Sequence, residues 1–256
     1  MITPSMTFKE VYDHLADDLK KVEYRKDYYL PKAIKEFRKA KQFPVWKWYE
    51  YEVPQTKNKY VIYYYAENWE SIENPKIGFF ANVFFDRKRC VIKLSVTGYK
   101  HTPESPIMLL RQIQVYSSHF LQRYNERCLK DKTLGSNDLA CRYLARNDIA
   151  MPIEISEDIN RNIEQYGEGG KEGFIVEDGL CFAQTRLDVI SSEDGDRNND
   201  KVNALAIVFT TFIPRYMMTK GQLFAIEKEH WEKWSQAYMN FMKEAPDGTL
   251  TLKLEP

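Results

Sequence analysis

Apolar residues near the start of the chain recur at helical spacing. Phe8, Val11, Tyr12, Leu15, Leu19 and Val22 fall on one face, which is the period of an amphipathic helix. Thr7 and Glu10 stand ahead of them with the three-residue spacing of a capping box. The pattern predicts one helix over residues 7–22. A second helix is predicted after Pro31, with Ala33, Ile34, Phe37 and Ala40 on one side. Proline suits a first turn because its missing N–H costs nothing there.

From Phe43 the period falls to two. Trp46, Trp48, Glu50 and Glu52 alternate with Val45, Lys47, Tyr49, Tyr51 and Val53. Further strand-like runs cover Tyr60–Tyr65, Ile77–Phe85 and Cys90–Val96, separated by Pro54–Asn58, Asn74-Pro75 and Asp86–Arg89. Four strands so spaced predict an antiparallel meander.

His101–Pro106, with prolines at 103 and 106, marks the internal boundary. Beyond it the pattern predicts a short strand over Arg111–Tyr116 and a helix capped by Ser118 that runs to about Lys130. Helices over 137–148 and 156–166 follow, the latter with Glu157 and Asp158 in its first turn and a stop near Gly167. Gly173–Phe182 reads as a hairpin in which Asp178-Gly179 supplies the positive φ of a tight turn. A polar loop, Ser191–Asp200, leads to a strand over Val202–Thr210. From Thr219 a long helix is predicted, carrying Phe224, Glu227, Trp231, Trp234, Tyr238 and Phe241 and ended by Pro246-Asp247-Gly248. The fold class expected is α+β, mostly antiparallel sheet with N-terminal helices and a long C-terminal helix. Residues 1–100 and 107–256 form its two regions, as separate units or as one merged domain.

Composition changes this picture at three points. The chain has 37 basic and 37 acidic residues, which argues against a basic coat protein or an acidic tail protein. Divided by segment, the balance is uneven. Residues 20–47 hold ten basic and three acidic side chains, whereas residues 154–200 hold thirteen acidic and four basic ones. The basic stretch suits phosphates or an acidic protein partner, and also a solvated helix face. Aromatic residues are concentrated as well, with ten between Phe43 and Trp69. Both faces of those strands carry them, which predicts a sheet covered on one side and showing Tyr hydroxyls on the other.

Cys90, Cys128, Cys141 and Cys181 lie far apart and form no C-x-x-C pair, so neither a disulfide framework nor a zinc ribbon is expected. The first residues lack the basic and apolar regions of a signal peptide. No apolar run is long enough to span a membrane. A cytoplasmic protein with free thiols, no membrane association, no metal and no cofactor is the expectation. Asp194–Asp200 has the D-x-D-x-N-x-D spacing of a calcium loop, but Asn199 stands where glycine is needed and Leu205 where the bidentate Glu is needed. His14, His101 and His230 have no partner at metal-ligand spacing.

One constellation carries chemistry. In Ser117–Arg127, His119, Arg123 and Arg127 stand at i, i+4 and i+8, so a regular helix lines them along one face, with Glu126 beside them. Guanidinium groups clamp phosphate and stabilise transition-state charge, and histidine moves protons near neutral pH. Ser118-His119-x-x-x-Arg123-x-x-x-Arg127 resembles the opening helix of small toxin-like domains in the RelE/barnase–EndoU–colicin ribonuclease superfamily. The resemblance covers residues 112–218 at most. It implies metal-independent RNA cleavage by His119, Arg123 and Arg127, completed by strand-end residues such as Arg186, Thr210 or Arg215. The chain departs from that pattern. About 45 residues separate Arg127 from the hairpin, and the first 100 residues have no counterpart. The expected function is a ribonuclease-like or RNA-binding domain. The alternative is a non-enzymatic module that binds a protein partner or a small molecule.

Overall fold

A computed structural model describes residues 2–3, 5–85, 88–99, 108–153, 172–191 and 201–218, with residues 220 and 223. Among the described residues the strands are β1 (Val45–Glu52), β2 (Lys59–Ala66), β3 (Lys76–Phe85), β4 (Lys88–Tyr99), β5 (Met108–Ser117), β6 (Met151–Ile153), β7 (Glu172–Val176), β8 (Gly179–Ile190) and β9 (Lys201–Pro214). The α-helices among the described residues are α1 (Phe8–Ala16), α2 (Leu19–Phe37), α3 (Ser118–Tyr124) and α4 (Ser136–Arg146).

All nine strands join one sheet in the order β1-β2-β3-β4-β5-β9-β8-β7-β6. The first five form the expected meander, extended by β5, and every pairing is antiparallel except β5 with β9. The chain is therefore α+β with a mostly antiparallel sheet. Strands from both sides of the His101–Pro106 boundary share it.

Helices cover both faces. On one, Val11, Leu15, Val22, Ala33 and Phe37 of α1 and α2 pack with Tyr60, Ile62 and Tyr64 of β2 and with Ile92, Ile113 and Ala206. On the other, Phe120, Leu121, Tyr124, Leu139 and Tyr143 of α3 and α4 pack with Val61, Tyr63 and Tyr65 of β2 and with Tyr116 and Phe209. Alternate residues of β2 thus enter opposite cores, as a period of two requires. This corrects the expectation of one open sheet face: Tyr60, Tyr63, Tyr64 and Tyr65 are all buried. The aromatic run is dense because it fills two cores.

Local corrections have physical reasons. The helix expected over residues 7–22 breaks after Ala16, with its Thr7–Glu10 capping box present. Asp18 turns inward at the break and is fully buried. Its Oδ2 accepts from Thr56 Oγ1 at 2.7 Å, Asn58 Nδ2 at 2.8 Å and Tyr60 OH at 3.2 Å. That anchoring outweighs helix continuity. Pro31 lies inside α2 and does not begin a helix. A proline there deprives the Asp27 carbonyl of its donor. On the adjoining carbonyl, of Lys26, the Tyr64 hydroxyl donates at 2.5 Å.

The hairpin has its turn at Glu177 and Asp178, and Gly179 opens β8 as extended strand. Among the described residues other than glycine, positive φ occurs at Lys57 and Lys130. Gly179 is needed for close approach, since a Cβ there would lie 2.1 Å from the Ile213 carbonyl oxygen. The helix expected over 156–166, the loop with its calcium-like spacing and, apart from residues 220 and 223, the long helix from Thr219 lie outside the described residues.

Candidate functional site

β5 runs directly into α3, and that junction positions the candidate chemistry. Ser117, not Ser118, is the N-cap, and its Oγ accepts from Phe120 N–H at 3.1 Å. Ser118 instead donates its hydroxyl to the Arg89 carbonyl at 3.2 Å, tying the first turn of α3 to the start of β4. Phe120, Leu121 and Tyr124 point into the core among Tyr116, Tyr143, Phe209 and Phe212. The helical period then leaves His119 exposed beside the sheet end.

The floor comes from β8 and β9. Their register shifts between Phe182 and Ala183, where Phe182 faces Thr211 and Ala183 faces Phe209. Thr210 is the extra residue of a β-bulge, a device that re-aims side chains. Its Oγ1 donates to the Phe182 carbonyl at 3.0 Å. Together these segments enclose a cleft of about 530 Å³. Lys88, Arg89, His119 and Arg186 supply its cationic and titratable lining; Ser117, Ser118, Gln184 and Thr210 are polar; Cys90, Val115, Val208 and Phe209 are apolar. No carboxylate lines it among the described residues.

Of the residues singled out from sequence, His119, Arg186 and Thr210 meet in this cleft. Arg123, Arg127 and Arg215 do not line it. The chain after α3 leaves the α-helical register, since Asn125–Leu129 is π-helical and Lys130 N–H bonds the Asn125 carbonyl at 2.6 Å. The one-face stripe therefore does not extend to Arg127. Its Nη1 donates to the Phe212 carbonyl and lies 3.5 Å from Thr211 Oγ1, and Tyr216 OH donates to its carbonyl at 2.8 Å. Arg123 Nη1 pairs with Glu126 at 3.1 Å. Arg215 Nε donates to the Glu177 carbonyl at 2.8 Å. Lys88, Arg89 and Gln184 were missed by sequence reasoning, and Ser117 stood in the candidate run without a role. The one local hint was that Gln184 and Arg186, two apart on a strand, share a face.

A second polar cluster sits at the β7–β8 turn. The Asp178 carboxylate accepts from Tyr124 OH at 2.7 Å and Asn147 Nδ2 at 2.9 Å, while Arg146 grips both its oxygens with Nε and Nη2. Asp178 N–H donates back to Asn147 Oδ1 at 2.9 Å. Burial pushes this carboxyl up, but the bonds from Arg146, Tyr124 and Asn147 outweigh it and hold it below the ordinary range. Burial also raises the thiols of Cys128, to about 11, and Cys181, to about 12. Neither is a ready nucleophile.

Among the described residues, no cluster of three or more His, Cys, Asp or Glu side chains could hold a metal ion. Among the described residues, no helix is long and apolar enough to cross a membrane. Comparison of the chain with protein-family models, curated proteins and solved structures yields no match.

Proposed function

We propose that the chain is an RNA-binding, ribonuclease-like protein whose substrate phosphate sits in the cleft at the start of α3. The observation that carries this reading is the meeting of His119 with Lys88, Arg89 and Arg186 in a cleft lined by no described carboxylate. Guanidinium forks and an ammonium group suit a phosphodiester and the extra charge of its transition state. In RNA the nucleophile is internal. The 2′-oxygen bonds to phosphorus as the bond to the 5′-oxygen breaks, leaving a 2′,3′-cyclic phosphate and a 5′-hydroxyl. His119 takes the proton from the 2′-hydroxyl as general base, and the leaving 5′-oxygen takes a proton from solvent water. Arg127, tied to the end of β9, is a positioning residue for the segment that carries His119.

The test is cleavage of labelled single-stranded RNA in chelator. The wild type is expected to cleave, and His119→Ala to lower the rate about 100-fold or more. No cleavage by the wild type across varied sequences contradicts the nuclease reading.

The cleft volume favours a second reading, a non-enzymatic module for a small phosphorylated molecule, since about 300–1,000 Å³ is usual for such pockets. Thermal stabilisation by a mononucleotide without RNA cleavage selects it.

A further inference from the structure

The outer face of α2 differs from the other described α-helices in pairing exposed cations with exposed phenol rings, since Tyr12, Tyr124 and Tyr143 of α1, α3 and α4 are buried. Val22, Ala33 and Phe37 are its buried side. Opposite them Lys20, Tyr24, Tyr28, Lys32 and Lys35 recur every three or four residues, and all are exposed. Tyr24 is 69% exposed and Tyr28 49%, although aromatic side chains usually contribute through burial. Lys32 Nζ lies 4.3 Å from the Tyr28 ring centroid, and the Arg25 guanidinium 5.6 Å from it, so the ring is steadied at the surface. Of the three carboxylates on the helix, Glu23 pairs with Lys26 and Glu36 with Lys39, leaving Asp27. Lys20, Arg25, Lys32 and Lys35 make no salt bridge among the described residues. From Lys20 to Lys35 the stripe is about 22 Å long.

We infer that this face binds single-stranded nucleic acid, with the lysines on phosphates and Tyr24 and Tyr28 stacking on bases. An acidic polypeptide would satisfy the cations but has no use for two exposed rings. A duplex hides its base faces. A membrane surface calls for an apolar side to insert, and here that side is packed on the sheet. Alternating cations and aromatics are what sequence-tolerant single-strand binding uses. The inference stands apart from the cleft and holds whether or not the cleft cleaves RNA.

The test is fluorescence anisotropy of the full chain with a labelled single-stranded DNA of about 20 nucleotides, which lacks the 2′-hydroxyl. Tyr24→Ala/Tyr28→Ala is expected to weaken binding about tenfold or more. Tyr24→Phe/Tyr28→Phe should retain it, since stacking needs the ring. Lys20→Gln/Lys35→Gln should reduce the slope of log affinity against log salt by about 1.4. Far-UV circular dichroism should be unchanged throughout, because the substituted side chains are exposed. Unaltered affinity in a folded Tyr24→Ala/Tyr28→Ala variant overturns the inference. So does equal binding of the duplex, or binding of poly-glutamate in place of the DNA.

Discussion

The β7–β8 turn and the cleft use neighbouring parts of β8, yet they treat charge in opposite ways. At the turn, Arg146, Tyr124 and Asn147 converge on one half-buried carboxylate, which joins α3 and α4 to the sheet. At the cleft, Lys88, Arg89, His119 and Arg186 gather around open volume with no described carboxylate lining it. The difference separates two reasons for placing charge. A carboxylate satisfied by several donors holds elements together. Cations such as Lys88, Arg89 and Arg186 around a cavity suit an anion from outside.

The largest expected effect tests the first half of that contrast. Asp178→Ala leaves the Arg146 guanidinium and Tyr124 hydroxyl without their acceptor, and should cost about 3 kcal/mol in urea unfolding. A loss below about 1 kcal/mol would place the turn with ordinary surface ion pairs. The same carboxyl predicts a pH effect. Its folded pKa is lowered, so its contribution is complete above the unfolded value of about 3.9 and is lost as pH falls through the folded value. Wild-type stability should therefore decline on acidification below that point, and the Asp178→Ala variant should lack that part of the decline.

A smaller effect is expected next to it. Gly179→Ala puts a methyl group 2.1 Å from the Ile213 carbonyl, forcing β8 and β9 apart for about 2 kcal/mol. An unchanged unfolding midpoint would mean that glycine is not required by the close approach.

Local pattern made the front of the sheet legible in sequence. The β1–β3 boundaries follow the turn residues, because alternation and punctuation act within a few residues of each other. The breaks in the pattern were not legible. Asp18 ends a periodic run only because Thr56, Asn58 and Tyr60 come back to meet it. Pro31 is held inside a helix that packs on β1 and β2. The cleft was legible only residue by residue. His119 carried a local signal, and Arg186 and Thr210 came from a resemblance. Lys88 and Arg89 looked like turn residues but open β4, and the cleft they line is completed by β9, which pairs with β5 from about 90 residues further along the chain. The register of His119, Arg123 and Arg127 assumed a regular helix, which the π-helical segment over Asn125–Leu129 interrupts.

The smallest expected change in stability belongs to the cleft, and it accompanies the most direct test. Arg186 is exposed, so Arg186→Ala should alter unfolding by less than about 0.5 kcal/mol. The decisive measurement is calorimetric titration of a nucleoside 3′-monophosphate into wild type, Arg186→Ala and the α2 variant Tyr24→Ala/Tyr28→Ala. Binding by the wild type, a loss of about tenfold or more on Arg186→Ala from the missing charge-assisted contact, and no change in the α2 variant is the predicted result. No binding by the wild type, or equal binding by a folded Arg186→Ala protein, would contradict the assignment of the cleft as a phosphate site.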